Sequence, residues 1–259
     1  MNEKCGIVVP TLGLRSEYLE QCLRSIRGAG DCHICIVVPQ DVDLSKMDSA
    51  GLIDQRVDDL GKGLAQAINL GLRSLPESIK YINWLGDDDL LAPSSLKMAS
   101  QFLAAHPDAI MVFGSCDYID NEANVLWKNV SGQWAVPLLR YGPCLIPQPG
   151  ALFRAEAYER VGGLRSDFKW AFDFELFIRF SKIGSIRYMP QTLASFRWHS
   201  DSLSVGGRQG SVLEASRARS IHLPVILRYF SFIWEFPVRF VTKYAGNVVG
   251  LPTATKTHD

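Results

Sequence analysis

Cys5-Gly6-Ile7-Val8-Val9-Pro10-Thr11 is the stretch that sets the architecture of this chain. Residues 5–9 are apolar without alternation, as in a strand buried on both faces of a parallel sheet, and Pro10 stops the run. Residues 16–27 follow with Leu19, Cys22, Leu23 and Ile26 at the spacing of one helix face, ended by Gly28 and Gly30. The alternation then repeats. Residues 34–38 read as a second buried strand closed by Pro39, 63–75 as a helix striped with Leu64, Ile68, Leu72 and Leu75, and 81–85 as a third strand. Pro93 suits the first turn of a helix carrying Leu96, Ala99, Phe102 and Leu103, and 110–113 make a fourth strand. Such a pattern implies a parallel sheet covered by helices, with ligands bound beyond the carboxyl ends of the strands. The loops after Val9, Val38 and Leu85 should therefore meet at one edge.

The second half is less regular. Residues 117–128 read as a short hairpin around 120–124, and 129–150, with Pro137, Pro143, Pro147 and Pro149, as a long loop suited to a lid. Helices are expected over 155–161, ended by Gly162-Gly163, and over 171–183, with a last strand at 193–198.

Composition narrows the classes. A chain of 259 residues that is 47% hydrophobic and 21% charged buries a full-sized core and is not a disordered one. Lys+Arg and Asp+Glu are both 27, so no global charge argues for nucleic acid, and no nucleic-acid partner is expected. The N-terminal apolar run is too short for a secretory signal, and no later run reaches the roughly 18 apolar residues of a membrane span. A cytoplasmic location is the expectation. The six cysteines then read as reduced thiols in apolar sites, and Cys32-His33-Ile34-Cys35, which runs into a strand with no second ligand pair nearby, reads as structural.

The sharpest chemical signal is Trp84-Leu85-Gly86-Asp87-Asp88-Asp89. Three adjacent carboxylates at a strand end repel one another, and Mg²⁺ or Mn²⁺ bridging them to a diphosphate removes that cost. A solvated acidic turn with Asp89 or Ser94 as helix N-cap is the alternative, and the place at the ligand edge favours the metal. In Phe172-Asp173-Phe174-Glu175 the two acids lie on different helix faces, so they do not share a site. Asp173, among aromatic neighbours, has the surroundings that raise a pKa and suit a general base; as a plain N-cap it would do no chemistry. Gly61-Lys62-Gly63 is neither a P-loop nor a dinucleotide fingerprint; it is a plain loop in one reading, and in the other it lets Lys62 and backbone N–H groups approach a phosphate. His199, after Arg197-Trp198, is a metal or diphosphate ligand in one reading and a structural histidine in the other.

Taken in order, these segments resemble the family-2 glycosyltransferases of the GT-A fold over residues 4–205. Ile7-Val8-Val9-Pro10-Thr11 is similar to the family's opening strand and Pro-Thr turn. The stretch Gly61-Lys62-Gly63-Leu64-Ala65-Gln66-Ala67-Ile68-Asn69-Leu70-Gly71 is similar to its glycine-led helix, and Trp84 through Leu90 to its DxD-type metal motif. Gln148-Pro149-Gly150-Ala151-Leu152-Phe153-Arg154, Val161-Gly162-Gly163 and Ala171-Phe172-Asp173-Phe174-Glu175-Leu176 resemble the acceptor-side segment, and Phe196-Arg197-Trp198-His199 the closing one.

The resemblance implies an α/β, Rossmann-like sandwich with a mostly parallel central sheet and a helical C-terminal tail. A donor half spans 1–115, an acceptor half 116–205, and the tail 206–259. It implies an inverting transferase moving a sugar from a nucleotide diphosphate sugar to a saccharide or lipid-linked saccharide hydroxyl, as in surface polysaccharide synthesis. Asp173 would be the base, Asp88, Asp89 and His199 the ligands of Mn²⁺ or Mg²⁺, and Gln148, Trp170 and Glu175 would face the acceptor. Pro10, Thr11, Lys62, Asp87, Asp88 and Arg197 would hold the nucleotide sugar. The family's Val-Asp-Asp after the second strand is here Val38-Pro39-Gln40, so Asp41 or Asp59 stands in for the base contact. That departure supports a rival, a nucleotide-sugar-binding protein without transfer; a nucleotidyltransferase would need a richer phosphate loop than Thr11-Leu12-Gly13-Leu14-Arg15.

From Gly206 the chain carries seven basic residues against three acidic ones, with the aromatic stretch Tyr229-Phe230-Ser231-Phe232-Ile233-Trp234-Glu235-Phe236. Residues 220–250 suit either peripheral contact with an anionic membrane surface or amphipathic packing on the domain or on the mate of a homodimer.

Overall fold

A computed structural model describes residues 4–129, 132–198 and 208–224. The expected sheet is present. Strands β1 (Cys5–Pro10), β2 (Cys32–Val38), β3 (Gln55–Asp58) and β4 (Tyr81–Trp84) run parallel in the order β3-β2-β1-β4, with Ile7 beside Ile34 on one side and Asn83 on the other. The sheet continues past β4 through β8 (Ala151–Arg154), β6 (Ala109–Ile119), β9 (Ser185–Arg197) and the two-residue β5 (Leu90–Leu91); β7 (Val125–Asn129) pairs with the far half of β6. β8 is antiparallel to both its neighbours, whereas β9 runs parallel to β6.

The unalternating strands are explained by two cores. Ile7, Val9, Ile34, Ile36 and Val38 face one core with Leu19, Cys22, Leu23 and Ile26 of α1 (Ser16–Ala29). The short α2 (Ser45–Ser49) adds Met47 to that core, and α4 (Ser95–Ala105) adds Leu96, Ala99 and Leu103. Val8, Cys35 and Val37 face the other core, built with Ile68 and Leu72 of α3 (Leu64–Ser74) and with α6 (Ala155–Val161) and α7 (Phe172–Ile183). α3 sits directly on the strands because residue 71 is glycine: a Cβ there would lie 2.5 Å from Val8 Cγ1 and 2.7 Å from Val37 Cγ2.

Several elements extend beyond the sequence expectation. β3, α2 and β8 have no forecast, and β6 and β9 run far past 110–113 and 193–198. The loop expected at 129–150 contains a 3₁₀ turn (Gly132–Trp134) and α5 (Ala135–Leu138), and Ala135, Leu139 and Ile146 are buried, so its described part is anchored. One more helix, α8 (Arg208–His222), packs across α7. The aromatic stretch beyond residue 224 lies outside the described residues, as do most of the residues weighed for membrane contact. Among the described residues no helix is long and apolar enough to cross a membrane. None of the six cysteines forms a disulfide, and burial pushes the Cys32 thiol up to about 12, as fits a structural role.

Candidate active site

The loops after β1 and β4 meet as the parallel sheet requires. Thr11 follows β1, and its hydroxyl donates to Asp87 Oδ2 at 2.5 Å. Four residues on, Arg15 spans two acids, with Nη2 on Asp87 Oδ1 and Nη1 on Asp88 Oδ2, both at 2.8 Å. Asp89 is buried, and its Oδ1 accepts the backbone N–H of Arg197 at 3.0 Å. Burial pushes Asp89 well above the usual carboxylate range, and the Asp88 charge adds to that. Burial also raises Asp87, against the pull of Thr11 and Arg15. Arg15 was missed by sequence reasoning. The signal was a lone cation on the loop facing the acidic turn, visible only once β1 and β4 are adjacent.

Arg197 reaches this cluster from inside the protein. It is fully buried; Nε donates to Asp88 O, Nη1 to the carbonyls of Asp120 and Asn121, Nη2 to Gln21 Oε1, and its plane lies 4.4 Å from the Tyr18 ring centroid. Its guanidinium fixes the acidic turn against α1 and the β6–β7 hairpin. Glu175 is likewise given to the fold: buried, it accepts from Arg179 Nη2 at 2.6 Å and His222 Nε2 at 2.8 Å, and it presents nothing to an acceptor.

The carboxylates suit a divalent cation in part. Asp88 Oδ1 and Asp89 Oδ2 turn into the same small space, 2.9 and 3.0 Å from where a Cβ at Gly86 would stand. Two like charges sharing that space leave room for a cation that completes its shell with donor phosphates, the usual arrangement for Mg²⁺. No three His, Cys, Asp or Glu side chains among the described residues form a ready-made shell. His199 lies outside the described residues.

Asp173 is the second residue of α7. Its Oδ1 accepts the Phe174 N–H at 2.7 Å, and burial pushes the carboxyl up to about 6. The path back to the acids runs through packed side chains. The Phe172 ring lies 6.2 Å from Trp84, which ends β4, and Gln148 Nε2 donates to Trp84 O at 2.8 Å and to Asn83 Oδ1 at 3.0 Å. Gln148 thus ties the acceptor-side loop to β4. Trp170 is half-buried just ahead of α7. Asp59 and Lys62 share a different cavity, of about 370 Å³, running beside α3 with Gln66, Asn69, Arg73 and Ser166. Asp41 is exposed on the turn after β2, and Pro10 is half-buried at the end of β1.

No protein-family model matches this chain. An uncharacterized protein of Sinorhizobium fredii is 33% identical over 99 residues, 38% of this chain and 11% of that protein. An uncharacterized glycosyltransferase of Haemophilus influenzae is 23% identical over 210 residues, 73% of this chain and 64% of its own length. The chain thus spans less than two thirds of either relative. Among solved structures, S. aureus TarS 1-349 in complex with UDP-GlcNAc superposes with a TM-score of 0.68 at 12% identity, covering 96% of this chain and 76% of that one. The mannosyltransferase PcManGT from Pyrobaculum calidifontis, in complex with GDP-Man and Mn²⁺, gives 0.65 at 17% identity, covering 95% and 76%. The α/β sandwich described above is the glycosyltransferase fold that these two enzymes share.

Proposed function

We propose that this protein is an inverting glycosyltransferase that moves a sugar from a nucleotide diphosphate sugar to a hydroxyl of a saccharide or a lipid-linked saccharide, as in surface polysaccharide synthesis. The observation that carries the reading is the cluster Asp87–Asp88–Asp89 at the carboxyl end of β4, on a glycosyltransferase fold, linked through Trp84 and Phe172 to a carboxyl held at about 6. The Haemophilus relative carries the same activity class in its name, and the two superposed enzymes are complexed with UDP-GlcNAc and GDP-Man.

The roles follow from the residues. Pro10 and Thr11 end the strand beside the donor, with Asp41 or Asp59 near the nucleotide base and Lys62 toward a phosphate. Mn²⁺ or Mg²⁺ on Asp88 and Asp89, when bound, supplies positive charge to the leaving diphosphate. Asp173 takes the proton of the acceptor hydroxyl at a carboxylate oxygen as the hydroxyl oxygen attacks the anomeric carbon and the bond from that carbon to the nucleotide diphosphate breaks. One displacement with one base inverts that carbon, unlike the paired carboxylates of a glycosidase. Gln148 and Trp170 line the approach of the acceptor.

Incubation with a panel of UDP-, GDP- and dTDP-sugars plus Mn²⁺ tests the reading. One donor should release its nucleotide diphosphate in a sugar- and metal-dependent way. General-base catalysis is worth about 10²–10⁴-fold, so Asp173→Asn should lose most turnover yet still bind that donor. Binding without turnover by the wild-type protein would favour a nucleotide-sugar-binding protein, and pyrophosphate exchange a nucleotidyltransferase.

A further inference from the structure

Inside the first turn of α7 the Asp173 carboxyl takes the Phe174 N–H, but the segment 169–171 leading into the helix has no such acceptor of its own. Its N-cap residue is Ala171, whose side chain accepts nothing, so the N–H groups there need an acceptor from elsewhere. Glu214, in the middle of α8, provides it. Its Oε2 accepts from Trp170 N at 2.7 Å, Ala171 N at 3.0 Å and Lys169 N at 3.0 Å, and its Oε1 accepts from Lys169 N at 2.9 Å. The same face of α8 holds the rest of this segment. One turn earlier Gly210 lets the Trp170 ring lie directly on the helix; three residues later Arg217 donates to Asp167 O and Oδ2 at 2.9 and 2.5 Å.

Asp173 depends on this clamp. Among the described residues its carboxyl accepts hydrogen bonds only from its own N–H and that of Phe174. Among the described residues no other side chain hydrogen-bonds it, so its direction follows the backbone at the start of α7, and Glu214 holds residues 169–171, which lead into that start. A base displaced by about 1 Å loses on the order of 10²-fold in rate.

We propose that Glu214 is the positioning residue of this enzyme, a long-range helix cap that aims Asp173 at the acceptor hydroxyl. The proposal rests on the reading of Asp173 as the base. The test uses the full chain and the donor that the nucleotide-sugar panel identifies. Glu214→Ala should lower kcat about 10- to 100-fold with the donor KM within about twofold of wild type. Glu214→Gln keeps an amide oxygen for the Trp170 and Ala171 N–H groups, and should recover kcat to within about fivefold. If Glu214→Ala does not fold, Glu214→Met, which fills the space without an acceptor, replaces it.

A merely structural role is separated by a double-mutant cycle. In the Asp173→Asn background, removing Glu214 should change the residual rate by less than about twofold. A wild-type kcat in Glu214→Ala or Glu214→Met beside an inactive Asp173→Asn sinks the positioning role alone, and so does an equal loss in both backgrounds. Transfer by Asp173→Asn at the wild-type rate, or no turnover of any donor, sinks the base reading and this proposal with it.

Discussion

Asp173 trades stability for a titratable group near neutrality. Its carboxyl, ordinarily near 3.8, is held at about 6 by burial. Between those values the unfolded chain has lost the proton and the native protein still holds it, so the native state loses stability as pH rises from about 4 to about 6. Asp173→Asn removes that penalty, about 3 kcal/mol. Thermal melts at pH 7.5 should show the variant more stable than wild type while transfer is lost, and the gap should close at pH 4. In the wild type, kcat should fall below pH of about 6 as the base takes up its proton. Arg15 carries the opposite lesson. Replacing it with Gln leaves Asp87 and Asp88 facing each other without their guanidinium, at about 1–3 kcal/mol. Added Mn²⁺ should then raise the melting temperature of Arg15→Gln more than that of the wild type, because the ion takes over the vacated charge. An equal rise in both would mean that the guanidinium and the ion do not share these acids.

Elements built on local pattern were readable, and those built on a distant partner were not. α1, α3, α6 and α7 fall within about two residues of their forecast ends because an apolar stripe and a terminal glycine are local signals. β3 escaped because Gln55-Arg56-Val57-Asp58 is an edge strand paired only with β2, with Gln55 and Val57 half-covered and Arg56 and Asp58 exposed, so it has no apolar run. β6 and β9 outrun their apolar centres because they pair with each other from Ala109 to Ile119, a length set by the partner strand. Gly71→Ala should test the closeness of α3 to β1 and β2: the added methyl meets Val8 and Val37, and a loss of about 1–3 kcal/mol is expected in denaturant titration. Glu175→Ala leaves the half-buried Arg179 and His222 side chains without their acid, and should cost about 1–3 kcal/mol by the same measurement.

At the scale of the whole molecule, the acidic triplet and the candidate base were legible because their residue types are costly to place without a reason. The devices that orient them were not. Arg197 reads as a ligand in the motif, yet its guanidinium closes four internal hydrogen bonds drawn from α1, the acidic turn and the 120–121 turn. Glu214 stands 41 residues after Asp173 in a segment that reads as a separate tail, and only the packing of α8 across α7 brings it to residues 169–171. Beyond residue 205, α8 also supplies a buried arginine, Arg219, whose Nη1 donates to Gly142 O at 3.0 Å.

The six thiols give the molecule a built-in clock. Cys5, Cys22, Cys32, Cys35 and Cys116 are out of reach of solvent in two different cores, and Cys144 is half-covered in the loop leading to β8. Burial pushes the Cys144 thiol far up as well, so an alkylating reagent should reach the six thiols only as the cores around them open, in the order of that opening. Mass spectrometry of that staircase would report how cooperatively the two cores come apart.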